Sequence, residues 1–336
     1  MATAMTMVTT TDYHTAGEPF RIVTAGVATP RGRTVAQRRR WAQSHLDDIR
    51  ALLCREPRGH ADMYGCFLTP PDDDAADLGT VFFHNDGFST ACGHGTIALA
   101  TWAIETGLVT PAEGASEHRV VIDVPSGRVE AVVALEGGRP ATARFRNVPS
   151  LVHSLDVELE VEGRRLHLDV AYGGAFYASV EAAQLDLEVT PEHLPALIRW
   201  GRAIQATADA TLDLRPPDDS GEVGLYGVIF FDRLAAAHQR NVAVFADGQV
   251  DRSPCGSGTS ARLAVMGERG ELAVGETLVH DSLVGTRFLG RLVGCHSAAD
   301  ASNRWDTEVE GRAARTGHHT FILEPDDELG VGFVLR

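Results

Sequence analysis

Two short stretches decide how this chain is read: Cys92-Gly93-His94-Gly95-Thr96 and, 163 positions later, Cys255-Gly256-Ser257-Gly258-Thr259. The likeness continues past the motif, with Ala98 answered by Ala261, Glu105 by Glu268 and Gly107 by Gly270. Each copy reads as a turn, a helix of about three turns and a glycine C-cap. A five-residue match alone could be chance, but the shared continuation argues for an internal repeat. The offset is close to half of the 336 residues. The expected fold is therefore α+β, with two similar lobes, each a β-barrel-like sheet wrapped around a central helix.

Around the motifs, short β-rich runs dominate: Arg21–Thr24, Met63–Leu68, Thr80–His84, Val120–Val124, Val129–Leu135, Ala143–Val148, Ala175–Val180, Val228–Phe231, Val242–Phe245 and Thr320–Leu323. Gly, Asp and Pro punctuate them. His84-Asn85-Asp86-Gly87 reads as a hairpin turn. One helix is expected from Val35 to Leu53, with Ala42, Leu46, Ile49 and Leu53 on one face and a Thr34/Gln37 capping box. A second is expected from Thr190, with Pro191 at its first position, although Pro195 can delay its start by a turn. Residues 1–150 should form one lobe and 151–324 the other, with 325–336 packing back on the first.

Composition narrows the function. Thirty arginines against 46 acidic residues leave a net charge of −16, and no lysine occurs. Lysine Schiff-base chemistry is thereby excluded, including pyridoxal phosphate enzymes. So acidic a chain is a poor ligand for nucleic acid or an anionic membrane. Arg38-Arg39-Arg40 should be a solvated helix face. Met1–Thr11 is polar, so no export signal is expected, and no stretch has the length to span a bilayer. Five scattered cysteines suggest free thiols in a reducing, cytoplasmic setting. No spacing matches a metal site. Cys54, Cys66 and Cys295, lacking the glycine turn, are expected to be buried core thiols.

The repeat carries the chemistry. Each cysteine precedes a glycine turn that opens a helix, where backbone N–H groups lack intrahelical partners and the dipole favours negative charge. The thiol pKa values should fall towards neutrality, and the glycines let backbone donors approach a carboxylate. If both helix starts face one cleft, a carboxylate can be held there with a thiol on either side of its α-carbon. One base then permits elimination, and two opposed bases permit racemisation. The plain alternative is that Cys92 and Cys255 are buried core residues. His94 could contact a carboxylate or tune Cys92, or simply cap the helix. Asp251 could hold a secondary ammonium, or pair with Arg252 or cap a turn.

These motifs resemble the proline racemase family of proline racemases, 4-hydroxyproline 2-epimerases and trans-3-hydroxy-L-proline dehydratases. The resemblance rests on His14-Thr15-Ala16-Gly17-Glu18-Pro19, Glu56-Pro57-Arg58-Gly59-His60, both cysteine motifs, Asp251-Arg252-Ser253-Pro254 and Gly332-Phe333. It implies a diaminopimelate-epimerase-like fold with the active site between the lobes and no cofactor. Cys92 and Cys255 would be the acid/base thiols, and Gly93, His94, Asp251, Gly256 and Ser257 the substrate contacts. Asp62-Met63-Tyr64-Gly65 and the segment from Ala171 to Tyr177 resemble the dehydratase branch. Against that, many dehydratases carry threonine at the position of Cys255, while a cysteine pair serves racemases and epimerases. The expectation is dehydration of trans-3-hydroxy-L-proline to 1-pyrroline-2-carboxylate, with a two-base racemase or epimerase as the alternative. A non-catalytic imino-acid binder or a thiol redox protein is the reading from another class. The expected partner is a small imino acid, not nucleic acid or membrane, with a homodimer left open.

Overall fold

The computed structural model describes residues 5–216, 223–298 and 302–335. Contacts divide the chain into two units, one running to Ala141 and resuming at Arg312, the other covering Thr142–Gly311.

In the first unit, strand Thr6–Thr15 lies between Glu18–Ala25 and the late strand Ala313–Leu323, both antiparallel to it. Tyr64–Thr69 adds parallel to Glu18–Ala25, Leu78–His84 follows antiparallel, and the hairpin Glu117–Val124/Gly127–Glu136 completes the sheet. The helix that Cys92 opens spans Gly93–Glu105, and every residue from Gly93 to Ile104 is buried. It is apolar or small all round, as a helix enclosed by sheet must be. Gly107 at φ +74° ends it, as the repeat predicts.

Two expectations fail in this unit. The helix expected over Val35–Leu53 is two helices, Val35–His45 and Asp47–Cys54, broken at Leu46 with φ −123° and ψ 11°. Asp47 and Asp48 favour a fresh start there because carboxylates suit a helix N-terminus. The break keeps Ala42, Leu46 and Leu53 in one core cluster, with Ile49 packed against it. Arg38 and Arg39 are also buried, leaving only Arg40 exposed. Arg38 donates to the carbonyls of Gly32 and Pro70 and pairs with Asp72, while Arg39 donates to the carbonyl of Phe88. Their charges are satisfied by loop carbonyls that sequence periodicity does not reveal. The expected hairpin turn after His84 is present, with His84 donating to the Gly87 carbonyl and Ser89 to the Phe82 carbonyl, while strand Leu78–His84 also pairs with Tyr64–Thr69.

In the second unit, Leu151–Val161, Arg164–Tyr172 and Phe176–Glu181 form an antiparallel run. Gly227–Ala235 adds in parallel, His238–Phe245 follows antiparallel, and Thr277–Ser282 pairs in parallel with the latter. Arg287–Ser297 and Asn303–Gly311 continue antiparallel, and the bridge Ser150↔Trp305 brings the last strand back to the start of the first. The wrapped helix is Gly256–Glu268, buried from Gly256 to Met266 and capped by Gly270 at φ +69°. Within it, Arg262 is fully buried with its guanidinium 4.2 Å from the Phe231 ring and Nε donating to Gln239. The helix expected from Thr190 begins as a single 3₁₀ turn, Pro191–His193, and becomes α-helical at Leu194–Thr211. No described helix is long and apolar enough to cross a membrane.

Candidate active site

Ser89, Thr90 and Ala91 lead to Cys92, whose φ of −155° and ψ of 102° are extended and place it at the N-cap. There Sγ accepts the Gly95 N–H at 3.2 Å, in the place where a Ser or Asp oxygen ordinarily caps a helix. The His94 ring lies against the same sulfur, with Nδ1 at 3.6 Å and Nε2 at 3.5 Å. Phe20 and Tyr64 present ring edges to His94 at centroid distances of 5.7 and 4.9 Å. Burial pushes the His94 pKa down to about 3, so the imidazole is neutral in use. The hydroxyl of Thr15 donates to the His94 carbonyl at 2.9 Å. Thr15 precedes a hairpin turn at Ala16 and Gly17, with φ +50° and +94°, the left-handed pair of a type I′ turn. The His14–Pro19 motif thus supports the Cys92 helix start.

The second site is built differently. From strand Gln249–Asp251 the chain turns through Ser253, whose N–H and hydroxyl both donate to Asp251 Oδ1 at 2.8 and 2.6 Å. The Ser253 oxygen in turn accepts the Cys255 N–H at 3.1 Å. Cys255 sits at φ +63° and ψ 108°, a strained backbone worth roughly 1–3 kcal/mol for a non-glycine residue. It is held there through the Pro254 carbonyl, which accepts from Asn241 at 2.8 Å and from the Thr259 hydroxyl at 3.1 Å. Cys255 Sγ lies 3.8 Å from the Tyr177 hydroxyl and 3.9 Å from Ser257 Oγ, which are themselves 2.7 Å apart.

The expected lowering of the Cys255 pKa does not hold. Burial pushes this thiol up, and the Asp251 carboxylate adds to the effect. The Gly258 N–H and the hydroxyls of Tyr177 and Ser257 pull the other way and are outweighed. A helix start lowers a thiol pKa only where desolvation is the smaller influence. Burial likewise raises Tyr177 well above its ordinary value, and raises Asp251 to about 6 against the two Ser253 donors.

The Asp251 shift has a testable sign. A carboxyl whose folded pKa is raised contributes stability below its unfolded value, and that contribution is lost as pH rises through about 6. Asp251→Asn cannot ionise, so relative to the parent it should gain on the order of 2 kcal/mol between about pH 4 and pH 7. Denaturant midpoints of both proteins at the two pH values measure this, and a difference that does not change with pH refutes it. The buried histidines His84, His94 and His280 all have pKa values pushed down to about 3 and lose stability towards acid, but equally in parent and variant.

Of the residues expected at the site, Cys92, Gly93 and His94 gather at one helix start, and Asp251, Cys255, Gly256 and Ser257 at the other. Sequence reasoning missed Thr15, Phe20, Tyr64, Ser253 and Tyr177 as supports. All but Phe20 lie inside the quoted motifs, but nothing local to them marked a contact with either thiol. Among the other thiols, Cys54 and Cys66 are buried with pKa values pushed up to about 12. Cys295 is exposed, contrary to expectation, because Arg287–Ser297 turns that end of the strand to solvent. No group of three metal-ligating side chains occurs among the described residues.

A family model described as proline racemase matches residues 10–334. A Bacillus thuringiensis subsp. konkukian protein named trans-3-hydroxy-L-proline dehydratase is 42% identical over 329 residues, covering 97% of this chain and 98% of that one. A Burkholderia multivorans protein named 3-hydroxyproline 2-epimerase is 43% identical over 330 residues, with the same coverage. The crystal structure of a hydroxyproline epimerase from Agrobacterium vitis, with trans-4-hydroxy-L-proline bound, matches with TM-score 0.90 and 31% identity over 98% of this chain and 96% of that one. The match places the fold in the same class.

Proposed function

The chain belongs to the proline racemase family, and from that premise we propose that it removes the α-proton of a proline-type imino acid without a cofactor, as a trans-3-hydroxy-L-proline dehydratase. Cys92 is the base. Backbone and side-chain groups of Gly93, His94, Gly256 and Ser257 hold the carboxylate, Asp251 pairs with the secondary ammonium, and Cys255 is the second thiol at the substrate. Loss of the α-proton and the 3-hydroxyl leaves an enamine that tautomerises to 1-pyrroline-2-carboxylate.

One observation carries this reading beyond the relatives' names: the two thiols are set unequally. Cys92 accepts a helix-start N–H beside a neutral imidazole, whereas Cys255 lies beside a carboxylate and is pushed up. A racemase runs equally in both directions, so its two thiols must exchange roles at little cost. A pair whose surroundings differ in this way suits a one-base elimination better than a symmetric exchange of roles. An epimerase is the second reading, favoured by the thiol at 255 itself and by the Tyr177–Ser257 hydroxyl pair that could reload it with a proton.

The test uses the reduced protein in D₂O with trans-3-hydroxy-L-proline, trans-4-hydroxy-L-proline and L-proline in separate reactions. Pyrroline from the 3-hydroxy substrate alone is expected. Deuterium at Cα with inversion and no pyrroline would transfer the assignment to the epimerase, and no turnover of any of the three would defeat both readings.

A further inference from the structure

We propose that Cys92 is also the acid of the elimination, returning the proton it takes from the α-carbon to the departing 3-hydroxyl. The inference rests on the dehydratase reading and supplies its missing acid.

The stereochemistry of the substrate sets the requirement. In trans-3-hydroxy-L-proline the hydroxyl lies on the ring face opposite the carboxylate. The α-hydrogen, sharing its carbon with the carboxylate, lies on that same opposite face. The hydrogen and the hydroxyl are therefore neighbours on one side of the ring, and the base that reaches one is within reach of the other.

Among the described residues around Cys92, three hydroxyls are already committed. The hydroxyls of Thr15, Ser89 and Thr96 all donate to backbone carbonyls, those of His94, Ala91 and Cys92 respectively, at 2.9, 2.7 and 2.8 Å. His94 touches the sulfur, but burial keeps it neutral. A neutral imidazole N–H is a far weaker acid than a thiol. The newly formed Cys92 thiol is the best acid on that side.

The step balances. The α-C–H electron pair becomes the C2=C3 π bond, and the proton goes to the Cys92 thiolate. The C3–O bond breaks with its pair on oxygen, which takes the proton from Cys92 and departs as water. The thiolate is restored, and no second donor is consumed. The Cys255 thiol, with Tyr177 and Ser257 around it, is left with returning protons to carbon, which is epimerisation and not water loss. A cysteine at 255 is then no obstacle to dehydration.

The experiment compares trans-3-hydroxy-L-proline with cis-3-hydroxy-L-proline, whose hydroxyl lies on the face away from its α-hydrogen. Pyrroline formation by the wild type should be at least about a hundredfold slower, in kcat/KM, for the cis isomer, the usual scale of a general acid. Cys255→Ala should slow the trans reaction by less than about tenfold, through the loss of a group at the substrate. Alanine is preferred to threonine because a β-branched residue is strained at φ +63°. A cis rate within tenfold of the trans rate overturns the inference. So does a Cys255→Ala protein that keeps the parent's circular dichroism and loses the trans reaction by a hundredfold. If the wild type makes no pyrroline from the trans isomer, the dehydratase reading itself has failed, an outcome distinct from either.

Discussion

Cys92→Ala is expected to lower kcat/KM for α-proton removal by at least about a thousandfold, near the upper range for loss of a single general base. The fold should survive. The side chain is almost fully buried but small, and its duty at the helix start is to accept the Gly95 N–H. Losing that cap costs about 1 kcal/mol, a small part of a typical folding free energy. Cys92→Ser separates the two roles. A serine oxygen caps a helix at least as well as sulfur, so stability should return to the parent's, while activity should not, because an alkoxide is inaccessible near neutral pH. Steady-state kinetics and thermal melts of the three proteins make the comparison. Retention of a tenth of the activity by Cys92→Ala would remove this residue from the mechanism.

The part of the site that was legible in the sequence is the part that repeats. Cys92, Gly93 and His94, like Cys255, Gly256 and Ser257, open helices whose glycine caps lie at the same offsets, and local chemistry alone foretells a turn and a helix there. Residues that reach the site across the fold showed no site role, even where, like Tyr64 and Tyr177, they lie in quoted motifs. Phe20 and Tyr64 are ordinary strand residues until pairing brings their rings against His94. Tyr177 meets Ser257 only because strand Phe176–Glu181 passes the second helix start. The protonation of Cys255 was misjudged for a related reason, since helix-start geometry is local while desolvation and Asp251 are not. Strand Arg287–Ser297 was overlooked because polar residues alternate with its buried apolar ones, as in a strand with one wet face. Thr6–Thr15 was overlooked because it is polar in sequence, although Thr10, Thr11 and Asp12 are buried.

The two glycines that follow the thiols should respond unequally to the same change. A Cβ at Gly95 would overlap the edge of the Phe20 ring and lie 2.7 Å from Cys92 Sγ. Phe20 is fully buried and packed against Tyr64, Phe82 and His94, so the ring has nowhere to move and the sulfur must. At Gly258 the added Cβ would lie 2.9 Å from Ile229 Cδ1 and 3.0 Å from Cys255 Sγ. Ile229 meets it with the far end of a flexible side chain, which can rotate aside. Alanine improves helix propensity by about 1 kcal/mol at either position, which overpacking of about 1–3 kcal/mol outweighs at Gly95 but need not at Gly258. Gly95→Ala should therefore lose about a hundredfold or more in kcat/KM, the scale on which a misplaced catalytic group is felt, with a lower melting temperature. Gly258→Ala should lose less than about tenfold and melt close to the parent. Equal losses at the two positions would mean that both thiols must be held equally well for turnover, and the one-base assignment to Cys92 would then give way to a symmetric pair.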